Sequence, residues 1–271
     1  MARSVLRSRV IASLVLAPGM ILMLLYLPSF WLAIFIGIVS CAAAWEWASL
    51  VEEKLVAKLF YVVVCALLII AAGNYLPEEH VRFLMLMGSA FWVFVLLMLT
   101  FYQPSWLGNY LLQGFLTYSG YFVIVVAWLA MVKLNQQKPS LLLFLFLIVW
   151  MADTAAYFAG KRFGKNKLAE QLSPGKTREG LLGAVIGTFI LSLAGVWWFE
   201  LNIMQSVYFV LLCVLTALIS VVGDLFESLL KRNAGAKDSG SLIPGHGGVL
   251  DRIDSILAAA PGFVLGMYWL Y

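Results

Sequence analysis

Between residues 223 and 255 the chain gathers Asp224, Glu227, Lys231, Arg232, Lys237, Asp238, His246, Asp251, Arg252 and Asp254, interleaved with six glycines. Apolar runs flank this stretch on both sides, in a chain that is only 12% charged. Ionisable side chains at or near membrane depth are costly, so they point to function. Asp224, Glu227, Ser228 and Lys231 recur at i, i+3, i+4 and i+7, which puts them on one helical face. A solvated helix end with a Glu227–Lys231 ion pair is one reading. Asp224 follows a long apolar run, however, and an inward-facing polar stripe is the reading preferred. Asp251 and Asp254, at i and i+3, can face one point. With Asp224 they offer hard oxygen ligands, and the absence of a His/Cys cluster favours Mg²⁺ over Zn²⁺. Mg²⁺ beside Lys and Arg suits a polyphosphate leaving group. The glycines let backbone approach a ligand closely, and His246 could donate to a phosphate.

A second set lies upstream. Asp153 falls inside an apolar run, where it needs a cation, a donor or a wet cavity. Either it hydrogen-bonds a neighbouring helix or it joins the site, and the basic loop eight residues on favours the site. That loop opens with Lys161, Arg162, Lys165 and Lys167, a patch suited to anionic headgroups. It continues as Ser173-Pro174-Gly175-Lys176-Thr177-Arg178-Glu179-Gly180. Pro-Gly predicts a turn, and the lysine beside a helix N-terminus predicts a phosphate site. Thr177 and Glu179 taken alone read as a turn and a helix cap. A P-loop is excluded, since GxxxxGK[ST] needs Gly at Glu170 and a preceding strand, and none is expected here.

The elements that carry these residues follow from composition. The chain has 271 residues, is 63% hydrophobic and has a mean hydropathy of +0.95. Soluble domains are about 45–50% apolar. The expected fold is all-α: a polytopic integral membrane protein with about nine transmembrane helices, over roughly 10–27, 30–50, 56–76, 82–101, 109–132, 140–160, 180–199, 205–230 and 253–271. One membrane domain, 1–271, would comprise N-terminal spans (1–140) and catalytic spans with their loops (141–271). With a cytoplasmic N-terminus, all the basic residues except Arg82, Lys133 and Lys138 fall on the cytoplasmic side, in keeping with the positive-inside rule. Both polar loops then face soluble nucleotides. Arg3, Arg7 and Arg9 before an apolar run imitate a signal peptide, but the run is long enough to span and reads as uncleaved. Cys41, Cys65 and Cys213 lie in apolar runs without a CxxC and read as buried small hydrophobes. A net charge of +4 gives no ground for nucleic acid as a partner. Glu46, between Trp45 and Trp47, reads as an interfacial residue of the aromatic belt or as part of the site, the former preferred. Glu78, Glu79 and His80 read as a solvated outer loop.

From Ser228 to Asp254 the pattern S-x-x-K-R-x₄-K-D-x-G-x₂-I-P-G-H-G-G-x₂-D-R-x-D resembles the signature of the phosphatidate cytidylyltransferases. Ser173-Pro174-Gly175-Lys176-Thr177, the Asp153 segment and Ala44-Trp45-Glu46-Trp47 resemble the same family, and the likeness covers essentially the whole chain. It implies a bacterial inner-membrane enzyme that joins CTP and phosphatidic acid into CDP-diacylglycerol and pyrophosphate. It also implies Mg²⁺ dependence, a possible K⁺ as second cation, a homodimer, and a cavity open to cytoplasm and lipid. On this reading Asp224, Asp251 and Asp254 hold the cation. Lys176, Lys231, Arg232, Lys237 and Arg252 hold phosphates. Ser173 and Thr177 hydrogen-bond either substrate, and Asp153, Glu227, Asp238 and His246 orient the others. Two rivals fare worse. The DGxxAR…GxxxDxxxD pattern of CDP-alcohol phosphotransferases is absent, and a cation transporter built on Glu46, Asp153 and Asp224 leaves the Gly/Lys-rich loops unexplained.

Overall fold

A computed structural model describes residues 18–52, 54–242 and 247–270. Its order is α1 (18–26), α2 (Ser29–Val51), α3 (Leu55–Tyr75), α4 (Glu78–Thr100), a 3₁₀ turn (Pro104–Trp106), α5 (Tyr110–Gln137) and α6 (Pro139–Phe163). Then come β1 (Lys167–Ala169), β2 (Ser173–Thr177), α7 (Arg178–Trp198), α8 (Ile203–Asn233) and α9 (Leu250–Met267). Helices follow from the apolar runs, because lipid offers the backbone no hydrogen-bond partner and each segment must satisfy itself. Helices α2 to α8 are each long and apolar enough to cross a membrane. Residues 10–17 of the expected first span lie outside the described residues, and its remainder forms α1. The expected ninth span is an 18-residue helix with Asp251, Arg252 and Asp254 at its start. The protein is therefore a polytopic all-helical membrane protein, apart from one small hairpin.

The ends of these helices are locally encoded. Asn109 caps α5 by accepting from Leu111 N at 2.8 Å. Asn202 and Gln205 form a capping box on α8, and Pro139 opens α6, where its missing N–H costs nothing. Glu78, Glu79 and His80, expected in a loop, form the first turn of α4 instead. Acidic residues there oppose the positive end of the helix dipole, and Glu78 also accepts from Lys133 at the end of α5.

Small residues bring the site helices together. A Cβ at Gly187 of α7 would stand 2.7 Å from that of Ala155 on α6. One at Gly223 of α8 would stand 2.6 Å from both the Ala258 Cβ and the Asp254 carbonyl oxygen of α9. Such close approach is how helices pack where lipid removes a hydrophobic drive. Outward faces remain apolar and exposed, as at Val56, Phe60 and Leu67 of α3 and Leu182, Ile186 and Ile190 of α7. The most enclosed span is α5.

The segment between α6 and α7 departs from expectation. It is an antiparallel hairpin, with Lys167 opposite Thr177 and Ala169 opposite Ser173. Pro174 and Gly175 lie within β2 rather than at the turn, which falls near residues 170–172. A two-stranded sheet is all edge, so a proline lacking an N–H is tolerated there. Lys167 Nζ ties the hairpin by donating to Pro174 O at 2.6 Å. A strand therefore does run into Lys176-Thr177 and α7, but Glu170 still stands where a P-loop needs glycine.

Candidate active site

Helix α8 carries the polar stripe, with Glu227 and Ser228 buried and Asp224 and Lys231 half-buried. Helix α9, held against it at Gly223, contributes Asp254. One carboxylate oxygen each from Asp224, Glu227 and Asp254 lie within 4.8 Å of one another. Glu227 Oε1 is buried and has no hydrogen-bond partner among the described residues. Three carboxylates at this spacing repel each other, a cation between them would relieve that repulsion, and a buried oxygen without a partner on one of the three residues suits such an ion. The donor set is all hard oxygen, which fits a divalent cation of the Mg²⁺ class rather than zinc.

Two lysines flank the group. Lys176 Nζ, from β2, lies 2.7 Å from Asp224 Oδ2. Lys231 Nζ donates to Glu227 Oε2 at 2.6 Å and to Asp251 Oδ1 at 2.7 Å. The i,i+4 pair of the first reading exists, but it is buried rather than solvated, so the stripe faces inward.

The sequence-based ligand set needs one correction. Asp251 does not join Asp224 and Asp254; Glu227 does. Asp251 Oδ1 is taken by Lys231, while its Oδ2 accepts from Ser239 N at 3.1 Å and Gly248 N at 2.9 Å and lies 3.0 Å from Ser239 Oγ. Its spacing from Asp254 allows a shared face, but the loop returning from α8 occupies it first.

A cavity of about 400 Å³ opens beside the acidic group, lined by Asp153, Lys161, Lys176, Thr177 and Asp224 among others. Asp153 thus faces the site rather than a neighbouring helix alone. Lys161, expected in a headgroup patch, is on the cavity wall with Nζ 5.6 Å from the centre of the Tyr157 ring. A second cavity of about 660 Å³ lies between α4, the hairpin, α7 and α8. Leu96, Leu99, Leu218 and Val222 make much of its wall, and Glu170 and Arg178 also line it. The two cavities share Leu168, Leu181 and Val221.

Other expected residues take different places. Thr177 is buried and caps α7, accepting from Gly180 N at 3.1 Å. Glu179 accepts from the backbone N–H groups of Lys165 and Asn166 and so pins the hairpin to α7, as a cap should. Ser173, at the far end of β2, does not line the 400 Å³ cavity. Arg232 donates to Leu172 O at 3.4 Å and Ala236 O at 3.3 Å, so it braces the hairpin turn. Lys237, Asp238 and Arg252 are exposed, and His246 lies outside the described residues. Sequence reasoning placed Glu46 mainly at the interface and passed over Ser239. Glu46 is in fact 2% exposed and accepts from Ser239 Oγ at 3.0 Å and Leu250 N at 2.8 Å. The available signal was a carboxylate embedded in an otherwise apolar run.

The model of the cytidylyltransferase family matches residues 7–270. The chain belongs to that family. It is also similar to a Haemophilus influenzae protein named phosphatidate cytidylyltransferase, at 36% identity over 95% of this chain and 97% of that one. A Pseudomonas aeruginosa protein of the same name is 36% identical over 95% of each. A Staphylococcus aureus protein of that name is 44% identical over 44% of this chain and 46% of its own. The family match thus includes the acidic group, both lysines and the hairpin.

Proposed function

We propose that this chain transfers the cytidylyl group of CTP to phosphatidic acid, giving CDP-diacylglycerol and pyrophosphate for phospholipid synthesis. The observation that carries the reading is the meeting of a charged cavity, holding Lys176 against Asp224, with an apolar one along Leu168, Leu181 and Val221. A reaction between a water-soluble triphosphate and a membrane phospholipid needs such a junction. The names of the relatives supply the substrates.

The chemistry needs no protein nucleophile. An anionic phosphate oxygen of the lipid attacks the α-phosphorus of CTP in line. The bond from that phosphorus to its bridging oxygen breaks, and pyrophosphate leaves with the electron pair. The protein's task is positioning and charge neutralisation. Lys176 and Lys231 are the cations nearest the acidic group and would meet the phosphates there. Arg232, Lys237 and Arg252 would extend the positive field outward. Asp224, Glu227 and Asp254 would hold Mg²⁺, with K⁺ as a second cation beside it. When bound, Mg²⁺ would offset charge on the phosphate oxygens without proton transfer. Asp251 would steady Lys231. The site would face the cytoplasm of a bacterial inner membrane, supported by the bias of basic residues. The family resemblance extends the reading to a homodimer.

The test is product formation by purified protein in mixed micelles, from labelled CTP and phosphatidic acid. CDP-diacylglycerol should appear only with both lipid and Mg²⁺, and chelation of Mg²⁺ should abolish it. Absence of product from folded protein would refute the reading. The apolar cavity makes a second prediction. Leu218→Trp should raise KM for phosphatidic acid roughly tenfold and leave KM for CTP nearly unchanged, the signature of lost binding for one substrate. An equal rise in both constants would remove the lipid from that cavity.

A further inference from the structure

The buried carboxylate of Glu46 has no part in the chemistry above, yet it is built into the approach to the site. Helix α9 begins at Leu250, and the first N–H groups of any helix lack intrahelical acceptors. The residue before it, Val249, has no side-chain oxygen to cap them, and no side-chain cap is formed. Glu46 supplies the acceptor from α2, about 200 positions away in sequence. Its Oε2 takes Leu250 N at 2.8 Å and lies 3.0 Å from Ser239 Oγ. A carboxylate there also opposes the positive end of the α9 dipole.

Gly240 and Gly248, ahead of α9, pack closely on this carboxylate. A methyl group at Gly240 would stand 2.5 Å from Glu46 Oε1 and 2.7 Å from Cδ, and one at Gly248 would collide with Oε2 and with Ser239 Oγ. Ser239 Oγ lies 3.0 Å from Asp251 Oδ2 as well. A continuous set of contacts therefore runs from Glu46 through Ser239 to Asp251 and on to Lys231. We propose that Glu46 is a positioning residue. It caps α9 from α2 and seats Ser239, Gly240 and Gly248, and so aims Asp251 at Lys231 and brings Asp254 to Asp224 and Glu227. The seat requires an acceptor oxygen at Oε2, not a charge, because Oε1 has no partner among the described residues.

The activity arm of the test rests on the cytidylyl-transfer reading; the structural arm does not. In the purified full chain, Glu46→Ala should lower kcat roughly a hundredfold, the order expected when reacting groups shift by about 1 Å. Amide hydrogen exchange should quicken at 239–242 and 247–250 and remain slow in α5 and in the apolar half of α8. Glu46→Gln keeps an oxygen at Oε2 and should restore slow exchange and most of kcat. If Glu46→Ala does not fold, Gly240→Ala presses on the same carboxylate and should quicken exchange at the same residues. A Gln variant as impaired as the Ala variant would mean that charge, not seating, is what matters, and would overturn the proposal. So would slow exchange in both Ala variants, or a uniform rise in exchange throughout the bundle. Failure of the wild-type protein to make CDP-diacylglycerol would sink the transfer reading alone, and exchange would still decide the role of Glu46.

Discussion

Asp254→Asn is expected to lower CDP-diacylglycerol formation by about a thousandfold while the protein inserts and folds normally. The asparagine keeps the shape of the side chain and can still accept from Ser255 N, as Asp254 Oδ1 does at 2.6 Å. It removes the negative charge of one of three converging carboxylates, the others being Asp224 and Glu227. A metal centre supplies several kcal/mol of charge stabilisation in a transition state, and about 1.4 kcal/mol is tenfold in rate. Losing most of that support gives the thousandfold. Glu227→Gln should behave alike, because one of its carboxylate oxygens belongs to the same group. Asp251→Asn should be milder, since its neighbours Ser239 and Gly248 can still hold an amide oxygen. Turnover, Mg²⁺ dependence and detergent-solubilised thermal unfolding, measured together on the three variants, check the assignment. Near-normal turnover in Asp254→Asn would remove it from the centre. Severe loss in Asp251→Asn with little in Glu227→Gln would restore Asp251 as the third ligand.

The contrast between Glu227 and Asp251 marks where the sequence stops being informative. Spans α2 to α8 were legible because a lipid-facing helix must be apolar over its whole length, and that requirement is local. The α8 stripe was legible too, since i, i+3, i+4 and i+7 fix a face. A face says nothing about which partner reaches it first. Asp251 and Asp254 share their spacing, but Ser239 and Gly248 arrive from a loop and claim Asp251. Glu46 was misjudged for a related reason. Its flanking tryptophans suit a membrane interface, and its true partners lie 193 and 204 residues away. The hairpin was hidden by Pro174-Gly175, which reads as a turn wherever a sheet interior is assumed. Here the sheet has no interior.

Lys231→Met should both destabilise the fold and abolish turnover, and the two effects can be separated. Lys231 is 13% exposed and stands between Glu227, at 3%, and Asp251, at 14%. Removing one partner of a buried ion pair leaves charge uncompensated and typically costs about 3–5 kcal/mol. A marked fall in thermal unfolding temperature should follow. The second change Glu227→Gln then neutralises the more deeply buried partner. Asp251 keeps its bonds from Ser239 and Gly248, so the double variant should recover much of the lost stability. It should recover no activity, because it lacks both the cation proposed to meet the phosphates and a carboxylate of the acidic group. Stability that falls and returns while turnover stays absent identifies Lys231 as working in two ways: it holds α8 to α9, and it serves the reaction. Unchanged unfolding in the single variant would mean that the bridge between Glu227 and Asp251 contributes nothing to the fold. The small-residue contact at Gly223 would then alone set the distance between α8 and α9.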